Sequence, residues 1–242
     1  MVKSNNIENF LLYFAYFSEF IPLFIVILFR KSIINNEYRV FFLYIVYEAF
    51  NTLVGIIIKY YFQDPISYVY LLRIYNVVEF TLLLLFLYSC LNKNNKYNSY
   101  IKYLPILYLI FCLYDFIVSS KTVIGFRPVV VECIIMLLLI IYLFYDRIQN
   151  NFLTPLYQTR IFWIAVALLI YFAGNFFLFL YSSTIVVKNK EFIKEYTIVF
   201  STIVILKNLF ISISLLMKEN STSGISNLGN ISELDIKQNK FS

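Results

Sequence analysis

Seven long apolar runs separated by short polar segments occupy residues 10–29, 40–59, 68–91, 103–120, 128–145, 161–182 and 197–217. Their length predicts helices, since at 1.5 Å per residue about 20 apolar residues cover the ~30 Å hydrocarbon core of a bilayer. A helix also satisfies its own backbone groups where no water can. The fourth and fifth runs are the shortest, and the segment KTVIGFR between them is where a merged or re-entrant segment would fall. Pro128 suits the first turn of a helix, where its missing N–H is no loss, which favours two separate helices. Residues 1–217 therefore read as one all-α domain, a bundle of seven transmembrane helices. Residues 218–242, polar and without periodicity, read as a disordered tail.

Polar residues inside the runs fall on stripes. In the second run Tyr44, Glu48, Asn51, Thr52, Gly55 and Lys59 recur at intervals of three and four, one face of a helix. Leu72, Tyr75, Asn76 and Glu79 do the same in the third run, Trp163, Ala167, Tyr171, Gly174 and Asn175 in the sixth, and Thr197, Ser201, Asn208 and Ser212 in the seventh. Lys207 adjoins that last stripe, in the middle of STIVILKNLFIS. Glu19, Glu48, Glu79, Asp115, Glu132 and Lys207 place one ionisable group in each of six runs, and the sixth run carries Asn175 instead. Each charge costs about 2.5 to 3.5 kcal/mol at a helix centre, so these groups are expected to face the bundle interior, paired or hydrated. Glu79 is the expected partner of Lys207, because both lie near the middle of their runs and a buried lysine is tolerated chiefly when paired or deprotonated.

Composition removes the soluble alternatives. With 61% hydrophobic residues, 14% charged residues and a mean hydropathy of +0.75, the chain lies outside the range of soluble domains. Tyr and Phe crowd the ends of the runs, as interfacial aromatics do, although an AT-rich genome enriches the same residues. Arg30, Lys31, Arg39, Lys93, Lys96, Lys102, Arg147, Arg160, Lys218, Lys237 and Lys240 put eleven positive charges on one side of the membrane. The other side has seven: Lys3, Lys59, Lys121, Arg127, Lys188, Lys190 and Lys194. The bias favours an outside N-terminus and an inside C-terminus, against the pull of the loop KNKEFIKEY. The first run lacks a positive n-region and a small-residue cleavage site and is read as a retained span. A net charge of +6 spread over loop lysines requires no nucleic-acid partner.

Chemistry narrows further. With no histidine in the chain, His-based triads, His-ligated metals and a histidine phosphoacceptor are excluded. Cys90, Cys112 and Cys133 show no CxxC spacing and read as apolar fillers. Tyr114 and Asp115 form the YD pair used by aspartyl intramembrane proteases, without the GxGD partner, and a two-carboxylate lipid hydrolase built on Glu48, Glu79 or Asp115 stays open. No cofactor or catalytic residue is assigned. In the outside-N orientation, Glu19, Glu48, Glu79 and Lys207 lie near mid-depth. Lys59, Arg73, Asp115, Glu132 and Asn175 fall in the outer half, while the inner halves are nearly free of charge. A water-filled pore wants polar lining along its whole length, so the pattern suits a cavity open outside and closed inside. Glu19, Glu48, Glu79, Asn175, Lys207 and Asn208 are the candidate ligand or ion site, with Lys207 as anchor for an anionic or amphipathic ligand. The alternatives are packing groups hydrogen-bonded between helices, and a small-solute or ion transporter.

Seven helices with a lysine in the last, Lys207, and an acid in the third, Glu79, resemble the retinal-binding arrangement of rhodopsins. The aromatic third-helix and sixth-helix motifs of that family are absent. A wider resemblance runs through LLYFAYFSEFIPLFI, IYNVVEFTLLLLFLYS, FWIAVALLIYFAGNFFLF and ILKNLFISIS. Over most of the chain these segments resemble an uncharacterised group of seven-helix membrane proteins of Bacteroidota. Some of that group look like the sensory membrane module that precedes a histidine kinase. The resemblance implies a multi-pass protein of a bacterial inner membrane, with Glu19, Glu79, Trp163, Gly174, Asn175 and Asn208 as signature positions. The chain departs from it by ending soon after the seventh run, so any signalling output is expected to pass through a separate protein. The lipid bilayer is the one partner the residues themselves imply. They leave the oligomeric state open.

Overall fold

The structure is a computed structural model and describes residues 2–33, 38–62, 65–91, 98–118, 126–150, 155–184 and 190–217. Among them the architecture is all-helical: α1 (Val2–Ser18), α2 (Phe20–Ile33), α3 (Arg39–Ile57), α4 (Pro65–Cys90), α5 (Asn98–Ile101), α6 (Leu104–Val118), α7 (Phe126–Asn150), α8 (Arg160–Thr184) and α9 (Lys190–Leu216). A π-helical turn, Ile58–Phe62, extends α3, and a 3-10 turn, Leu156–Gln158, precedes α8. The helices pack in chain order around a ring, α2 on α3, α3 on α4, α4 on α6, α6 on α7, α7 on α8, and α8 on α9, which closes the ring against α1 and α2. A direct α4–α7 contact leaves α6 on the outside of that pair.

Among the described residues, six helical segments are long and apolar enough to cross a membrane: Ile7–Phe29, Arg39–Phe62, Ile66–Cys90, Arg127–Gln149, Arg160–Leu180 and Ile193–Leu216. The fourth run predicted from sequence, 103–120, is helical only as α6 among the described residues. Its 15 residues extend about 22 Å at 1.5 Å per residue, short of the ~30 Å core. The KTVIGFR segment lies mostly, and the tail 218–242 entirely, outside the described residues. The outward faces are apolar, with Ile117 at 81% exposure, as a multi-pass membrane protein requires once lipid replaces water.

Two departures from the predicted spans matter for the site. The first span breaks at Glu19, because Pro22 has no N–H for the Ser18 carbonyl four residues earlier and its ring crowds that carbonyl. The last span begins earlier than expected, since the polar segment KNKEFIKEY lies largely within α9 and continues that helix beyond the apolar run.

Between membrane helices, close packing replaces the hydrophobic drive. Gly174 of α8 shows it. A Cβ there would stand 2.5 Å from Ile203 Cδ1 of α9, so the Ile203 side chain seats against α8 as closely as it does because residue 174 has no side chain. At the end of the bundle formed by the C-termini of α4 and α9, Arg147 donates to the Cys90 carbonyl and Arg160 to the Met217 carbonyl, each at 2.7 Å. These arginines satisfy carbonyls that have no partner within their own helices. Phe41, Phe86, Leu87, Leu143 and Ile211 are fully buried in this half of the bundle.

Candidate functional site

The polar stripe on α3 is the spine of the site. Glu48, buried at 6% exposure, forms an ion pair with Lys207 of α9, itself 1% exposed. Lys207 Nζ also donates to the Tyr44 hydroxyl at 3.4 Å and lies 4.4 Å from the centroid of the Tyr171 ring on α8. Tyr44 in turn donates to Glu79 Oε1 of α4 at 3.5 Å. Removing two charges from water costs several kcal/mol each, and one carboxylate seldom compensates for that alone. The tyrosine hydroxyl and the tyrosine face supply the rest, since a desolvated cation–π contact contributes about 2 kcal/mol or more.

The expected pairing of Lys207 with Glu79 is therefore corrected. Glu48 holds the lysine directly, and Glu79 joins the network through Tyr44. Position along a run reports depth in the membrane, and both acids have a suitable depth. Which of them meets the lysine depends on the arrangement of helices around the bundle axis, which helical periodicity does not contain.

Glu19 occupies the break between α1 and α2, and Thr52 of α3 donates its hydroxyl to the Glu19 carboxylate. The end of α1 is tied down from the other side. Asn208 donates from Nδ2 to Ser18 Oγ at 2.9 Å, and Ser18 bonds back to the Ala15 carbonyl at 2.7 Å. Asn208 thus faces the end of α1 while Lys207, one position earlier, faces the acids.

Between these groups lies a cavity of about 120 Å³. Glu19, Glu48, Asn51, Thr52, Gly55, Lys59, Tyr16, Tyr68, Tyr75, Tyr171 and Lys207 are among the residues that line it. It runs from the buried ion pair along α3 to the exposed Lys59, and so occupies the half of the bundle opposite the arginine-braced end. Of the six candidate residues, Glu19, Glu48 and Lys207 line this cavity. Glu79 stands behind Tyr44, Asn208 is the tie to α1, and Asn175 is buried on α8 beside Gly174 with no partner for its Oδ1. Tyr16 and Tyr68 are wall residues that the sequence reading did not single out. A signal for both existed, because Tyr16 precedes Glu19 by three positions and the Leu72–Tyr75–Glu79 stripe continues back one turn to Tyr68.

A second cleft, of about 370 Å³, opens between α4, α6 and α7, with Arg73, Asp115 and Phe116 at one end and otherwise mainly apolar walls. The Arg73 guanidinium lies 5.2 Å from the Phe116 ring centroid. Behind this cleft Tyr108 donates to Glu132 Oε2 at 3.0 Å and packs against Phe80, with ring centroids 4.1 Å apart and the rings tilted by 35°. The three cysteines form no disulfide and lie on three different helices, and the described residues hold no cluster of three His, Cys, Asp or Glu side chains arranged for a metal.

The chain matches no protein-family model, no curated protein and no solved structure.

Proposed function

We propose that this chain is a ligand-binding membrane sensor of seven spans, with α6 as a short seventh crossing, its N-terminus outside and its C-terminus inside a bacterial inner membrane. One observation carries the reading. The polar cavity reaches from the Lys207–Glu48 pair toward the Lys59 end, while among the described residues buried aromatic and aliphatic side chains fill the other side. A pore needs polar lining throughout, whereas a receptor needs a cavity with one mouth. At about 120 Å³ the space suits a small polar ligand and is well below the roughly 300 to 1,000 Å³ of pockets for drug-sized molecules, which disfavours retinal.

The test is native mass spectrometry of protein purified in mild detergent, comparing wild type with Gly55→Leu. A Cβ at Gly55 meets only ordinary contacts, 3.7 Å to Tyr68 and 3.9 Å to Leu71, so a larger side chain there extends into the cavity it lines. A retained small molecule that disappears in the variant supports the reading. A second reading, a carrier, is favoured by the break of the first span at Glu19, because transporter sites are commonly built on discontinuous helices. Gradient-driven uptake by reconstituted vesicles would replace the sensor with the carrier.

A further inference from the structure

Hydrogen-bonding capacity around the cavity is unbalanced. Two of its donors are already committed, since the Lys207 ammonium is held by Glu48 and Tyr44 and the Thr52 hydroxyl is directed at Glu19. Acceptors remain. Asn51 Oδ1 is buried on the wall with no partner, and the Glu19 carboxylate has a hydroxyl donor rather than a paired cation. The Ser18 carbonyl beside it cannot receive the N–H that Pro22 lacks. Tyr16, Tyr68, Tyr75 and Tyr171 supply aromatic surface around these acceptors. Carboxylate and carbonyl acceptors set among tyrosine rings are what recognises an organic ammonium, by charge-assisted hydrogen bonds and by attraction of the cation to the ring faces. Lys207 is thereby occupied as an anion anchor, because Glu48 already fills that role from within the protein.

We infer that the cavity takes a small organic ammonium ion, held by the Glu19 carboxylate and the Asn51 amide oxygen within the tyrosine walls. The inference rests on the ligand-cavity reading above and specifies the ligand's charge and size. A volume of about 120 Å³ admits a methylated ammonium and is small for a lipid tail or a peptide. Lys59, exposed at the far end of the wall with its ammonium 5.8 Å from the Tyr60 ring centroid, is the cation an incoming ammonium passes.

The experiment is titration of the full chain in detergent with tetramethylammonium, methylammonium, sodium and acetate, each at constant ionic strength, reading the unfolding temperature and binding heat. The expected result is a saturable rise in unfolding temperature with an ammonium probe, at least ~30-fold weaker binding in Glu19→Gln, and loss of binding in Gly55→Leu. Such a loss is typical when one partner of a buried charged contact is removed. Glu19→Gln retains an oxygen to accept the Thr52 hydroxyl, and unliganded unfolding temperatures of both variants within a few degrees of wild type show that they fold. Saturable binding of acetate and not of the ammonium ions would overturn the inference in favour of an anion site. Sodium binding that depends on Glu19, without ammonium binding, would overturn it in favour of an inorganic cation. No binding of any probe, while mass spectrometry still finds a retained molecule, would overturn the ammonium assignment and leave the cavity reading standing. Ammonium uptake into vesicles would leave the assignment standing and overturn the sensor.

Discussion

Replacing Lys207 by Met removes the one ammonium in a buried cluster and leaves Glu48, at 6% exposure, opposite a thioether. Breaking a buried pair from one side costs about 3 to 5 kcal/mol, because the remaining charge has neither water nor a partner. Glu48→Leu leaves the ammonium with the Tyr44 hydroxyl at 3.4 Å and the Tyr171 face at 4.4 Å, so its cost falls at the lower end of that range, near ~3 kcal/mol. The double variant Lys207→Met/Glu48→Leu exposes no charge to the interior, and apolar replacements of buried pairs are commonly neutral or stabilising, so it should stand within ~1 kcal/mol of wild type. The cycle then yields a coupling energy of about 5 to 9 kcal/mol, at and above the upper end of the roughly 1.5 to 7 kcal/mol of close charge pairs elsewhere. For a chain of this size about 2 to 4 °C accompanies each kcal/mol, so the single variants should melt roughly 6 to 20 °C early and the double variant within about 4 °C of wild type. Fluorescence of Trp163, the single tryptophan, whose indole donates to the Tyr157 carbonyl at 2.9 Å, reports unfolding in detergent. A double variant that loses the sum of the two single losses would refute the pairing.

Gly174→Ala should destabilise by about 1 to 3 kcal/mol through overpacking against Ile203, more than the ~1 kcal/mol that alanine adds to a helix. Adding Ile203→Ala should restore part of the loss, and a more stable single variant in thermal unfolding would show the contact to be loose. Asn208→Ala removes the 2.9 Å bond to Ser18 at a cost of about 1 kcal/mol, and hydrogen exchange should quicken in α1; unchanged exchange there would mean that Asn208 does not hold the end of α1. Tyr108→Phe leaves Glu132, whose Oε1 already lacks a donor, without its Tyr108 bond to Oε2, and should cost about 1 to 3 kcal/mol; adding Glu132→Leu should recover most of it in the same melting assay.

The sequence by itself determined that this is an all-helical membrane protein and which residues turn inward. Both follow from quantities local to each helix. Run length sets whether a helix can span, and intervals of three and four set its polar face, which is why Glu48, Asn51, Thr52, Gly55 and Lys59 were legible as one stripe before they were found along one cavity. Pro22 was equally visible, yet the break it causes matters only because Thr52 and Asn208 come from α3 and α9 to hold the two sides of it. Lys207 needed a carboxylate, and its apolar flanks said so. The choice of Glu48 over Glu79, the turning of Asn208 toward Ser18 of α1 instead of the cavity, and the seating of Ile203 of α9 on Gly174 of α8 were decided by the tertiary structure alone. Periodicity specifies the face a helix turns inward and the depth of each residue on it. It does not specify which helix stands next to which, and a buried lysine finds its partner by lateral distance as much as by depth.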